Sequence, residues 1–306
     1  MESLSASAFI KEGKVIGIAV CYTDPVQFEK LSADIRKSCG REYRLVGLDN
    51  RNGEYDIFSA YKKLTGEIQS EIMVFCHQDI CFCTENWGDL LEKYFAEHSL
   101  LGAVGVAGGS AHPRSPGGWM TAPPCCERCI NIIQHTPDGK RVSDHTVTDG
   151  RELYPVTVID GVFMAFRGSV FCEVSFGNSG LSGFHGYDLD ISLQLLRHGW
   201  KIAVTSEILL EHFSAGSYSP QYIHNIVAVH LANRDILPVF AGEFPASQHA
   251  LKEYETRSLL FFAYTMRSSG VSGKEFRRIL LMFRRDTTFF CKCFLLLLWE
   301  FLRSLF

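Results

Sequence analysis

The chain reads as an α/β protein with a mostly parallel central sheet, helices on the sheet's faces and a helical C-terminal tail. Three observations predict this. Over the first 107 residues, short apolar runs alternate with segments of helical period, a βαβαβαβ series. Polar or acidic residues stand at the exit of each apolar run, where open parallel sheets bind ligands. From about Ser217 onward the strand pattern gives way to helical periodicity. We divide the chain at residues 1–240 and 241–306.

The elements follow in order. Val15 to Cys21 is the first strand, apolar throughout. Asp24-Pro25 opens a helix, Asp as N-cap and Pro in the first turn, which runs to about Ser38 and stops at Gly40. Arg44 to Leu48 is the second strand, ending at Asp49-Asn50, and Tyr55 to Leu64 the second helix. Ile72 to Cys76 is the third strand, ending at His77-Gln78-Asp79. Trp87 to His98 is a helix and Gly102 to Ala107 a fourth strand. From Gly108 to Arg151 periodicity fades into a Gly- and Pro-rich stretch, with Asp138-Gly139 marking a hairpin turn; a loop this long is usually functional. Leu153 to Arg167 reads as strand, Asp160-Gly161, strand. His185 to His198 is a helix ended by Gly199, and Lys201 to Thr205 and Ile208 to His212 are short strands.

Composition narrows the function. With 306 residues, 46% hydrophobic and 21% charged, the chain can bury a core. A formal net charge of −4 and a pI near 6.3 argue against a nucleic-acid partner. No GxxxxGK[ST] run is present, nor a strand followed by GxGxxG. Gly102, Gly105 and Gly108 prompt a nicotinamide oxidoreductase reading, but they lie within a strand and its exit, at the wrong spacing. The eleven cysteines are an odd, scattered set, and the first residues lack a basic and apolar leader, which predicts free thiols in a reducing cytoplasm. Neither Cys76, Cys81, Cys83 nor Cys125, Cys126, Cys129 has the paired spacing of structural zinc.

Three segments carry chemistry. Val74 to Asp79 delivers an imidazole, His77, and an acid, Asp79, to a strand exit two residues apart. Such a pair suits Mg2+ or Mn2+, and an ion there would neutralise a departing diphosphate. The plain alternative is a helix cap and a satisfied histidine. Phe184 to Asp190 sets Asp188 and Asp190 at the start of a helix, where acids are favoured by the dipole in any case. The functional reading makes Asp188 a general base, with Asp190 about 200° round the helix. Glu211 to Ser217 places His212 at a strand exit before a small, flexible loop, where it either completes a metal site or makes an ordinary polar contact.

FCHQDI (75–80), GVAG (105–108), VIDGVFMAFR (158–167), FHGYDLDISLQLLRHGWKI (184–202) and EHFSAGS (211–217), in this order, resemble the GT-A-fold glycosyltransferases of the family 2 type. More narrowly, they resemble a bacterial glycosyltransferase-like family with HQD in place of DxD. The resemblance spans about residues 14 to 220. It implies a GT-A-like, Rossmann-type fold and an enzyme that moves a sugar from a nucleotide-sugar donor to a glycan or lipid-linked acceptor hydroxyl, with inversion. Residues 1–240 become the nucleotide-sugar-binding and catalytic part. The resemblance implies a divalent metal, Mn2+ or Mg2+, at Asp79 and His212, with His77 and Asp79 in the DxD position. It implies donor contacts from Tyr22 and Asp49, Asp188 as the base, and Asp160-Gly161 on the acceptor side. Two departures stand out: His77 replaces the first DxD acid, and Tyr187 replaces the glutamate that often precedes the base. They motivate the alternative of a non-catalytic nucleotide- or glycan-binding module. Trp119, in the long Gly108–Arg151 stretch, is positioned by sequence to stack on an acceptor sugar.

The tail differs in composition. From Arg267 to Phe306 there are eight basic residues and three acids, and Phe289 to Phe306 is mostly Phe, Leu and Trp. Lys292, Glu300 and Arg303 interrupt that run, so it is too polar to span a bilayer. With Arg285 they fall on one narrow stripe, which suits a helix lying peripherally on the inner face of the cell membrane; packing against protein is the alternative.

Overall fold

The computed structural model describes residues 15–120, 128–136, 138–177, 181–214, 219–242 and 247–282, together with 295, 298, 299 and 302. The opening series forms as the periodicity predicts: β1 (Ile16–Tyr22), α1 (Pro25–Ser38), β2 (Tyr43–Asp49), α2 (Ile57–Glu67), β3 (Ile72–Cys76). Asp24 caps α1 by accepting from the amides of Val26 and Gln27. In β1 and β3, alternate residues enter different cores. Ile16, Ile18, Val20, Ile72 and Val74 point to one face of the sheet, and Ala19, Met73 and Phe75 to the other. Both faces are covered, which is why these strands are apolar throughout.

After β3 come β4 (Ile80–Phe82), α3 (Trp87–Glu97), β5 (Leu101–Gly105), β6 (Ala107–Gly109) and β7 (Ala111–His112). The stretch read from sequence as aperiodic holds a long hairpin, β8 (Arg128–His135) and β9 (Arg141–His145), closed by a turn with Gly139 at φ 79°. Then come β10 (Leu153–Val156), β11 (Val158–Ile159), β12 (Phe163–Arg167), a 3-10 turn at Gly168–Cys172, α4 (Tyr187–Arg197), β13 (Lys201–Thr205) and β14 (Leu210–His212).

The strands form a seven-stranded sheet, β10-β13-β5-β12-β3-β1-β2, and a second sheet, β11-β6-β8-β14-β4, with β9 on β8. In the large sheet β1, β2, β3, β5 and β13 run one way, and β12 and β10 against them. The sequence series suggests β5 beside β3. Instead β12 wedges between them as an antiparallel strand. The Asp160-Gly161 turn is therefore no hairpin: β11 and β12 belong to different sheets. The chain crosses between the sheets at His77–Asp79, at Val106 and at Asp160–Val162. Gly102, Gly105 and Gly108 are packed against Trp200, Ile159 and the Val158 carbonyl, close approaches between elements rather than a phosphate loop.

After β14 come α5 (Pro220–Ala232), β15 (Val239–Phe240), α6 (Gln248–Ser268) and α7 (Gly273–Met282). Ile223, Ile226, Phe262 and Ile279 from these helices share a core with Leu189 and Leu193 of α4. The Phe289–Phe306 run lies outside the described residues, apart from Leu295, Leu298, Trp299 and Leu302. Among the described residues no helix is long and apolar enough to cross a membrane.

Candidate active site

The sheet crossings build the site. At the exit of β3 the three residues of His77-Gln78-Asp79 do different work. The Gln78 side-chain oxygen accepts from the amides of Thr23 and Asp24 at 2.8 and 3.0 Å, pinning this exit to the β1–α1 turn. His77 and Asp79 then face His212. Register puts them there: β14 pairs with β4 so that His212 opposes Ile80, and the Phe213 amide donates to the Asp79 carbonyl at 3.0 Å. Asp79 Oδ1 lies 3.6 Å from His212 Nε2 and 3.9 Å from His77 Nδ1, and the two nitrogens are 3.4 Å apart. One ligand atom from each falls within 4.8 Å of the others.

The surrounding hydrogen bonds decide what those atoms carry. The Gln134 side-chain nitrogen donates to the carbonyls of Ser214 and His135 at 2.5 and 2.9 Å. Its oxygen must then face His212 Nδ1, 3.0 Å away, which makes that nitrogen the N–H. His212 Nε2 is left with its lone pair pointing at the Asp79 carboxylate and the His77 ring. The Ser214 hydroxyl is 3.2 Å from the same nitrogen. Burial opposes ionisation of Asp79, yet the polar side chains of His212 and Ser214 beside it outweigh burial and hold the carboxyl well below its usual range. Burial, and next the adjacent His212 ring, lower the proton affinity of His77. Lone pairs from two neutral imidazoles and an anionic carboxylate converging at this distance fit a divalent cation. Tyr187 completes the arrangement: its hydroxyl is 2.9 Å from His77 Nε2. With Nδ1 turned to a metal, Nε2 would donate to that phenol oxygen, the outer contact that orients a ligating imidazole.

Tyr187 also opens α4, whose N-cap is Gly186 in the left-handed region at φ 82°. The next residue, Asp188, faces the Asp160-Gly161 turn. The amides of Leu189 and Gly161 donate to its carboxylate. Burial, then the neighbouring charge of Asp160, raises its pKa to about 7. Asp160 accepts from the Val162 amide at 2.8 Å and from the Trp119 indole N–H at 2.5 Å. Gly161 is required here, because a Cβ would collide with the Tyr187 hydroxyl. Asp190 takes no part: it is buried on the far side of α4 and accepts from Gln194 at 2.9 Å.

His77, His212, Trp119, Asp160, Gly161 and Asp188 line one cleft of about 500 Å³. The structure thus gathers most of the residues singled out in the sequence, and adds His77 to the Asp79–His212 pair as a third candidate ligand. Tyr22 and Asp49 stand apart, side by side in register at the exits of β1 and β2. The Tyr22 ring stacks on Phe28 at 4.3 Å, and Asp49 is bound by Arg51 at 2.7–3.0 Å. Trp119, expected from the sequence to stack on an acceptor sugar, donates its indole N–H to Asp160. Sequence reasoning missed Gln134 and the contact of Tyr187 with His77. The visible signal for Gln134 was the alternation Arg128, Ile130, Ile132, Gln134; Tyr187 carried none beyond its place beside Asp188.

A two-sheet α/β fold with polar strand exits gathered at one cleft defines the GT-A class of glycosyltransferase fold. A model of the glycosyltransferase-like family matches residues 17–226, and the chain belongs to that family. Among solved structures, TarS 1–349 of S. aureus superposes with a TM-score of 0.52 at 9% identity, over 91% of this chain and 80% of that one. GalNAc-T7, solved with UDP, GalNAc and Mn2+, gives a TM-score of 0.49 at 11% identity, over 83% of this chain; the chain spans 56% of its length. No curated protein matches in sequence.

Proposed function

We propose that the chain transfers a sugar, with inversion, from a nucleotide-sugar donor to an acceptor hydroxyl. The observation that carries this is that His77 and His212, two of three side chains whose ligand atoms converge within 4.8 Å, and the buried carboxylate of Asp188, with its raised pKa, line the same cleft. Asp79, His212 and His77 would hold Mn2+ in preference to Mg2+, because two of three donors are imidazoles and Mg2+ favours oxygen ligands. When bound, the ion supplies charge neutralisation at the diphosphate leaving group. Asp188 accepts the proton of the acceptor hydroxyl as its oxygen bonds to the anomeric carbon, and the bond from that carbon to phosphate breaks. A base of pKa about 7 is matched to this task at neutral pH. Asp160 sustains that basicity and is itself held by Trp119. Tyr22 and Asp49 form the nucleoside side, with Arg51 moving off Asp49 when donor binds. The apolar run of residues 289–306, with the basic residues in and before it, rests on an anionic membrane surface.

The test is a thermal-shift screen of nucleotide sugars with and without Mn2+, followed by turnover assays. A donor should raise the melting temperature only with Mn2+ present, and Asp79→Ala should abolish the effect. Asp188→Asn should keep donor binding and lose about 10²–10⁴-fold in transfer. Full turnover by Asp188→Asn removes the base assignment; no stabilising nucleotide sugar removes the transferase reading.

A further inference from the structure

Tyr187 and Asp188 occupy the first turn of α4, yet that turn lacks the usual support. Its N-cap is Gly186, which has no side chain to accept from the first free amides. Gly183 and Gly186 both lie in the left-handed region, at φ 86° and 82°, so a residue of wide backbone freedom stands on either side of Phe184 and His185. This segment is also a wall of the cleft, lined by Phe184, His185 and Gly186.

A side chain of α5 holds it. Asn225 is 3% exposed and sits in the interior of Pro220–Ala232. Asparagine is a poor helix former, so its place there calls for a reason outside α5. Its Nδ2 donates to the carbonyls of Ser182 and His185, each at 2.7 Å, and its oxygen accepts from Gln221 at 2.9 Å. One amide group thus spends both N–H bonds on carbonyls three residues apart. Between them the Ile57 amide donates to the Gly183 carbonyl at 3.0 Å. A Cβ on Gly186 would lie 3.4 Å from the Asn225 Cβ, so the last residue before α4 rests on the same side chain. A shift of this start would move two groups at once: the Tyr187 hydroxyl, 2.9 Å from His77 Nε2, and the Asp188 carboxylate, which accepts from the Gly161 amide.

Resting on the transferase reading above, we propose that Asn225 is a positioning residue: its grip on the Ser182 and His185 carbonyls sets where α4 begins, and so keeps the Tyr187 hydroxyl on His77 and the Asp188 carboxylate at the Asp160-Gly161 turn.

Two measurements on the full chain without donor test this. One is Mn2+ affinity by electron paramagnetic resonance; the other is titration of the Asp188 carboxyl by carbon-13 NMR, its signal assigned with Asp188→Asn. Asn225→Leu keeps the branched outline and removes the donors without adding charge. It should weaken Mn2+ binding by about 10-fold, the low end of what loss of an outer contact costs. It should also lower the Asp188 midpoint from about 7, because burial is the first cause of that value and the loosened turn admits water. In a Tyr187→Phe background Asn225→Leu should cost no further Mn2+ affinity, since its effect passes through the phenol oxygen. Asn233→Leu is the control: this buried residue caps the far end of α5, where its amide donates to the Val229 carbonyl at 2.9 Å, and its loss should lower the melting temperature and leave both readouts in place. Should Asn225→Leu fail to fold, Gln221→Ala, at an exposed position, frees the Asn225 oxygen and should move both readouts the same way by less. Either readout unmoved in the folded variant, a full further loss in the Tyr187→Phe background, or an equal loss in Asn233→Leu overturns the inference. If the unaltered chain binds no Mn2+, the metal assignment falls and the Asp188 midpoint alone decides. Failure of every nucleotide sugar to bind sinks the transferase reading but leaves both readouts measurable, whereas an overturned inference leaves donor binding as it was.

Discussion

Burial first, and next the charge of Asp160, raise the pKa of Asp188, and the backbone amides of Leu189 and Gly161 offset only part of the shift. As the proposed base, Asp188 must be deprotonated to act, so the transfer rate should rise as pH passes through about 7 and level off above. Asp160→Asn removes the neighbouring charge and should move that midpoint toward the ordinary carboxylate range; a pH–rate profile in both proteins checks it. Tyr187 acts one contact further out. Its hydroxyl holds His77 while its ring sits edge-on to Tyr61 at 5.4 Å and to Phe58 at 6.5 Å, so the ring stays in place when the oxygen is removed. Tyr187→Phe should therefore weaken Mn2+ affinity by about 10–100-fold with little change in melting temperature. Unchanged affinity, read by electron paramagnetic resonance of free Mn2+, would show that His77 needs no such support.

Among the elements, β7 carries an oddity with a measurable consequence. His112 is fully buried, pairs by backbone with Val239 of β15, and neither ring nitrogen has a hydrogen-bond partner among the described residues. Burial lowers its pKa to about 3. The unfolded chain would take up this proton near pH 6.5 and the folded protein only near 3, so stability is present above about 6.5 and is lost as pH falls through that window. His112→Leu should raise stability by about 1–3 kcal/mol at neutral pH and flatten the acid loss, as urea unfolding at pH 7 and pH 5 would report. The same strand shows what sequence could and could not reveal. β1, β3 and β5 were legible because burial on both faces leaves an unbroken apolar run. β9 was not, because all five of its residues are exposed. β8 was hidden by a buried Asn131, whose amide nitrogen is 2.9 Å from the carbonyls of Ser206 and Ile208. The antiparallel placing of β12 depends on its partners, which no local pattern records. His77, Asp79, Asp188 and His212 could be found as polar residues at the ends of apolar runs; the contact of Gln134 with His212 exists only through the pairing of β8 with β14.

Across the whole molecule, function gathers where the chain leaves one sheet for the other. His77-Gln78-Asp79 joins β3 to β4, and Asp160-Gly161-Val162 joins β11 to β12, so the proposed ligands at the β3 exit and the turn that faces Asp188 are each anchored in both sheets. The helices α5 and α6 contribute Tyr222, Ile226 and Phe261 to the cleft. The proposed membrane contact belongs to this scale, because it rests on the composition of the whole C-terminal end. Leu295, Trp299 and Leu302 fit such a face, spaced at i, i+4 and i+7 and 67%, 53% and 46% exposed. Attraction should depend on charge as well as apolar contact, with each basic residue near an anionic surface worth about 1 kcal/mol at low salt. Flotation with vesicles of phosphatidylglycerol should therefore carry the full chain upward at low salt and less of it at 0.5 M, while phosphatidylcholine vesicles carry little. Removing residues 287–306 should leave the protein at the bottom of the gradient with its nucleotide-sugar stabilisation intact. Equal flotation of the shortened chain would place the membrane contact on another surface, with the basic face of α7 and its Lys274 and Arg278 the next to test.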